Sequence, residues 1–145
     1  MRKKELYDKV ITYFQNAMPV AETELHYNNP FELLIAVILS AQCTDKRVNM
    51  ITPPLYRDFP TPEALAASTP EVIYEYIRSV SYPNNKAKHL VGMAKMLVNA
   101  TIDYARENGL KLRPICSYAY TYMMRHPEHA ALLDKRTGEG VACGL

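Results

Sequence analysis

Cysteine is scarce in this chain: Cys43, Cys116 and Cys143 lie far apart, and no two of them form a CxxC pair. An odd, scattered set of thiols argues against a disulfide framework and against a thiolate zinc site, and fits a reducing compartment. Long apolar runs are lacking too, since none reaches the ~20 residues that a membrane-spanning helix needs. The first ten residues, MRKKELYDKV, are charged where a secretory signal has its apolar stretch. There is no internal repeat and no low-complexity segment. A strong excess of charge is likewise missing: the formal net charge is +2 and the pI is near 8.4. That balance allows a polyanionic partner without requiring one. A soluble, intracellular protein is expected.

What is present suits a globular fold. At 145 residues, 48% of them hydrophobic and 22% charged, the chain is long enough for one compact domain, or for a domain and a fragment. Asn29, Pro30 and Glu32 form the sequence of N-cap, first helical residue and third-position acid, so a helix starts just before Phe31. Its interior from Leu33 to Leu39 is apolar on every side, which predicts a central helix wrapped by others. Asp45 or Thr44 caps the next helix, where Val48, Ile51, Leu55 and Phe59 keep helical spacing; Pro53 and Pro54 predict a kink or break near Thr52. Thr61 with Pro62 and Thr69 with Pro70 open two short helices that direct Leu65, Ile73, Ile77 and Val80 into the core. A long helix runs from Asn84 to Asn108, with Ala87, Leu90, Val91, Ala94, Leu97, Val98, Ile102 and Ala105 on one face and Gly109 as its C′ residue. Leu110 to Cys116 reads as a short strand and Tyr118 to Leu133 as a last helix. The tail from Asp134 to Leu145 reads as loose.

The segment LLIAVILSAQCTDKRVNM, Leu33 to Met50, passes from buried to polar within one residue. Either Gln42 and Thr44 cap and solvate a helix junction, or the polar rim meets a partner. PFELLIAVILSAQCTDKRVN resembles the start of the endonuclease III family, the helix-hairpin-helix DNA glycosylases that excise oxidised pyrimidines. The likeness extends from Met1 to about Leu97, through MPVAETELHYNNPFELL and IRSVSYPNNKAKHLVGMAKML. It implies a mainly α fold, a partial six-helix barrel, and double-stranded DNA, damaged or abasic, as partner in a bacterial cytoplasm or nucleoid. It also implies that Gln42 fills the gap left by an extruded base. An amide has both donors and acceptors to offer unpaired Watson–Crick groups. Thr44 and Asp45 belong to the same rim, and the helix amino terminus from Asp45 to Arg47 suits phosphate. The second DNA-facing loop is SVSYPNNKAK, in which Tyr82 stands where relatives carry an apolar wedge and Asn84 and Lys86 are backbone or orphan-base contacts. YPNN also makes a good turn in which Asn84 or Asn85 caps the long helix. Lys86, Lys88 and Lys95 are expected on an exposed helix face.

The family's next segments are not found in this sequence: the LPGVGRKTA hairpin with its Schiff-base lysine, the VDTH aspartate, and four cysteines for an iron–sulfur cluster. No catalytic residue, no cluster and no metal ligand is therefore expected, and the chain reads as a truncated family member. KMLVNATIDYARENGLKLRPICSYAYTYMMRHPEH resembles instead the carboxyl-terminal third of a small GNAT-type acetyltransferase. That likeness implies a helix–strand–helix fragment, and acetyl-CoA as an alternative ligand near Cys116, which otherwise reads as a small buried hydrophobe. His89, Gly92 and Ala94 match the spacing of a pyrophosphate loop by coincidence. The expected organisation is thus a glycosylase part over residues 1–97 and an acetyltransferase-like part over 98–145, with a non-enzymatic DNA-binding module as a further alternative.

Overall fold

The computed structural model of the chain describes residues 3–20, 22–114 and 117–134. Eight helices follow one another among these residues: α1 (Lys3–Ala17), α2 (Pro30–Ser40), α3 (Asp45–Asp58), α4 (Pro62–Ala67), α5 (Pro70–Ile77), α6 (Pro83–Glu107), α7 (Ser117–Arg125) and α8 (Pro127–Ala130). Asn29, Thr44, Thr61 and Thr69 each cap the helix that follows through a side-chain oxygen, accepting from the backbone N–H three residues on. Such caps supply partners for amides that have none inside the helix, and each stabilises by about 1 kcal/mol. At α2 the Glu32 carboxylate adds to this, accepting from the Asn28 backbone N–H at 2.7 Å and from its side-chain amide at 2.9 Å.

α6 is the centre of the molecule and packs against α2, α4 and α5, while α3 closes against α2 and α5. Ala87, Leu90, Val91, Ala94, Val98, Ile102 and Ala105 are all buried along one stripe of α6. All but Ala105 meet Ile35 and Leu39, Val48 and Leu55, Leu65, and Ile73 and Ile77 in one cluster. The helical period of the apolar residues therefore locates this core correctly, although Leu97 is only half-buried. Gly109 has φ 64, the left-handed geometry of a helix C′ residue. α6 runs unbroken through Leu97 and Val98, and Met123 and Leu112 beyond it join the same cluster.

Four expectations are corrected. α2 is not wrapped on all sides: Ile35, Ala36 and Leu39 are buried, but Val37 is 51% exposed and Leu34 37% exposed. The apolar character of that second face has no partner among the described residues. Of the kink or break expected near Thr52, the break is absent, because α3 continues through Pro53 and Pro54. Both prolines are exposed, so the carbonyls one turn earlier that lose their donors can be solvated, while buried Thr52 and Leu55 hold the inner face. The last helix divides into α7 and α8 at His126, which Pro127 forces to extended geometry, φ −115 and ψ 93. The expected strand is reduced to a single bridge, Leu112 to Leu133, in which the Leu112 N–H donates to Leu132 O and Leu112 O accepts from the Asp134 N–H. No strand, and so no acetyltransferase sheet, is present among the described residues.

α1 is amphipathic yet has no buried residue, and it exposes Tyr7, Val10, Ile11 and Phe14. No helix among the described residues is long and apolar enough to cross a membrane.

Candidate nucleic-acid interface

Two loops meet at one end of the core. The first joins α2 to α3 and contains Gln42; the second joins α5 to α6 and contains Tyr82. Both residues have φ 55 and are the non-glycine residues with positive φ among those described. A left-handed non-glycine residue costs roughly 1 kcal/mol or more and persists where surrounding structure enforces it. The enforcement is visible here. The Ser81 hydroxyl donates to the Gln42 carbonyl at 2.5 Å, tying the tip of one loop to the tip of the other. Cys43 N–H donates to Ser40 O at 2.9 Å and closes the first turn, and the Thr44 hydroxyl accepts from the Arg47 N–H at 3.3 Å to start α3. With the backbone held this way, the Gln42 and Tyr82 side chains are both turned to solvent, Tyr82 with 65% of its surface exposed.

The remaining residues expected at the site divide. Thr44 is exposed at the N-cap of α3, and Asp45 is half-buried as the first residue of that helix. Asn84 is exposed in the first turn of α6. Neither Asn84 nor Asn85 caps α6: its N-cap is Tyr82, with no side-chain cap bond. Pro83 explains this, since a proline at the first helical position needs no partner for its nitrogen.

Lys86 corrects the expectation most clearly. It is not on the exposed face with Lys88 and Lys95 but buried, and its ammonium donates to Leu39 O at 2.7 Å and Ala41 O at 2.6 Å. These are carbonyls of the last turn of α2 and of its C-cap, which lack helical donors and carry the negative end of the helix dipole. Lys86 therefore fixes the direction in which α2 delivers Gln42 and is turned away from any phosphate. Burial holds its pKa below the ordinary lysine value, with the neighbouring Cys43 opposing that shift. The exposed cations flanking the loop are instead Lys46 and Arg47 in the first turn of α3. Ser81 was not foreseen from sequence. Its role follows from where the left-handed Gln42 points its carbonyl, and no residue pattern announces that.

A family model described as HhH-GPD superfamily base excision DNA repair protein matches residues 35–141. The chain belongs to this superfamily. Among curated members it is similar to endonuclease III of Synechocystis, 40% identical over 96 residues, which are 66% of this chain and 44% of the relative. Endonuclease III of Bacillus subtilis is 43% identical over 89 residues, 61% of this chain and 39% of that protein. The chain thus spans less than half the length of these curated relatives. Among solved structures, a trapped endonuclease III–DNA covalent intermediate with an estranged adenine superposes with a TM-score of 0.62 at 31% identity, covering 97% of this chain and 59% of the other. A non-covalent endonuclease III–DNA complex gives 0.61 at 34% identity, covering 88% and 54%.

The superfamily resemblance also raises an iron–sulfur cluster, which four thiolates would hold. The chain has three cysteines, and Cys43 lies half-buried in the α2–α3 loop against the core, so its thiols do not fit that group. Cys116, the residue expected near acetyl-CoA, lies outside the described residues.

Proposed function

We propose that this chain binds duplex DNA through its paired loops and prefers an abasic or gapped site, as a catalytically incomplete endonuclease III-like module of base excision repair in a bacterial cytoplasm or nucleoid. The observation that carries the reading is the coupling of the two left-handed tips, Gln42 and Tyr82, through the Ser81 hydroxyl. A vacated base position is an unstacked hole lined by unpaired hydrogen-bonding groups. Gln42 brings an amide with donors and acceptors, Tyr82 brings a ring that can stack, and Lys46 and Arg47 attract the backbone. Superposition on endonuclease III complexes with DNA supports the same partner.

Within these 145 residues no lysine stands in the hairpin motif that the family uses for Schiff-base chemistry. Borohydride trapping on abasic duplex is accordingly expected to give no covalent adduct. An adduct that disappears on replacement of one named lysine would show that the chain carries lyase chemistry of its own.

Binding is tested by fluorescence anisotropy on matched abasic and intact duplexes. Gln42→Ala is expected to remove the preference for the abasic duplex, a loss of about 1 kcal/mol for one or two hydrogen bonds, while leaving affinity for intact duplex unchanged. Replacement of Lys46 and Arg47 by Ala is expected to weaken binding to both duplexes and to reduce the salt slope. Equal affinity for the two duplexes in the unmutated chain would remove the insertion role from Gln42 and leave it a helix-junction residue. The division into a glycosylase part, 1–97, and an acetyltransferase-like part, 98–145, is proposed for the sequence alone, since α6 crosses residue 97 unbroken and Leu112 and Met123 pack in the same core.

A further inference from the structure

At the end remote in sequence from the two loops, His126, Glu128 and His129 bring three ligating atoms within 4.8 Å of one another. We propose that these residues form a binding site for a divalent transition-metal ion of the zinc class. Two imidazoles and one carboxylate are a donor set that suits such ions and leaves at least one coordination position open. Ligands about 2.0–2.1 Å from a tetrahedral ion stand roughly 3.3 Å apart. Here Glu128 Oε1 is 3.2 Å from His126 Nδ1 and 4.0 Å from His129 Nε2, so modest side-chain rotation closes the set.

The backbone prepares this convergence. Pro127 fixes the start of α8, which places His126 at its N-cap and His129 one turn later on the same side. The His129 N–H donates to His126 O at 2.8 Å and closes the turn. The Tyr122 ring lies 4.5 Å from the His126 ring and 6.0 Å from that of His129, and its hydroxyl donates to Asn99 Oδ1 at 2.8 Å, anchoring the corner to α6. His126 is half-buried, as is His129, so ordering them costs less than ordering exposed chains.

One neighbour opposes the ion. Arg106 Nη2 lies 3.0 Å from His129 Nδ1, and since a guanidinium can only donate, this nitrogen is the acceptor and the ring proton sits on Nε2. Coordination of the neutral imidazole through Nε2 moves that proton to Nδ1, and Arg106 must then turn away, retaining its 2.7 Å bond to Asp103. Arg106 is thus a competitor for the metal-binding tautomer of His129.

The site is tested on the untagged, chelator-stripped chain by titrating Zn²⁺ against a chromophoric chelator, with Co²⁺ spectra reporting coordination geometry. One equivalent is expected to bind. His126→Ala and His129→Ala should each weaken binding by roughly tenfold or more, as even residues behind the ligands do in known sites. Glu128→Gln should weaken it, and Arg106→Ala should strengthen it, a gain that misfolding cannot produce. In the unmutated chain, bound Zn²⁺ should protect His126 and His129 from acylation by diethyl pyrocarbonate, as mapped by mass spectrometry. Absence of binding, protection of other histidines in their place, or weaker binding in Arg106→Ala would each overturn the site.

Discussion

Gln42 shows how far a single side chain can be read before the fold is known. Its amide chemistry and its place after a buried helix are visible in the sequence, but its left-handed backbone is not, because that depends on Ser81, thirty-nine positions away. The left-handed tip separates stability from function. Gln42→Gly removes the steric cost of φ 55 while adding chain entropy to the unfolded state, so unfolding free energy is expected to change by less than about 1 kcal/mol. The abasic preference should nonetheless vanish. Lys86 makes the opposite case. A lysine four residues into an amphipathic helix reads as a solvated cation, and only the arrival of the α2 C-terminus beside it turns it into a cap. Lys86→Ala leaves the Leu39 and Ala41 carbonyls without their charged donor and is expected to cost about 2–3 kcal/mol in denaturant unfolding. A change within a few tenths would mean that water replaces the ammonium without loss.

At the scale of elements, caps and periodicity were the legible signals, and partners were the illegible ones. Four side-chain caps and the buried stripe of α6 follow from local chemistry, which a sequence displays directly. Whether an apolar face is covered depends on what else the chain brings to it, so α2 with exposed Leu34 and Val37 differs from the wrapped helix that its composition predicts. α1 has no buried residue at all. Removing residues 1–17 is therefore expected to shift the unfolding free energy by less than about 1 kcal/mol, since no described residue of α1 is buried; a loss of several kcal/mol would show that α1 packs in solution. α3 carries a titratable link to α2: the Tyr56 hydroxyl donates to Glu32 O at 2.9 Å. Burial pushes the Tyr56 pKa from 10.0 to about 12, with Thr52 opposing and the Glu32 charge adding to the rise. A raised folded-state pKa means that the folded chain holds this proton longer than the unfolded one. The stabilisation is complete below pH 10 and is lost as pH climbs toward 12. Tyr56→Phe is expected to flatten that alkaline decline in thermal melts, and an unchanged decline would assign it to other tyrosines.

The molecule as a whole joins a core that its sequence displays to a site that only its folding assembles. The apolar periods of α3 to α6 were enough to locate the core, and the family resemblance of SAQCTDKRVN and YPNN puts forward the two loops proposed to meet DNA. Their mutual tie and the inward turn of Lys86 required long-range contacts that no local pattern encodes. We propose that one edge of this core, built from the two coupled tips, faces DNA. Backbone amide NMR shifts of the ¹⁵N-labelled chain, mapped on addition of an abasic duplex, test this. The expected result is one contiguous patch, Ala41 to Arg47 together with Ser81 to Asn84, that moves further with abasic than with intact duplex and is lost at high salt. Shifts centred on α1 or on the His126 corner, with both loops unmoved, would contradict it.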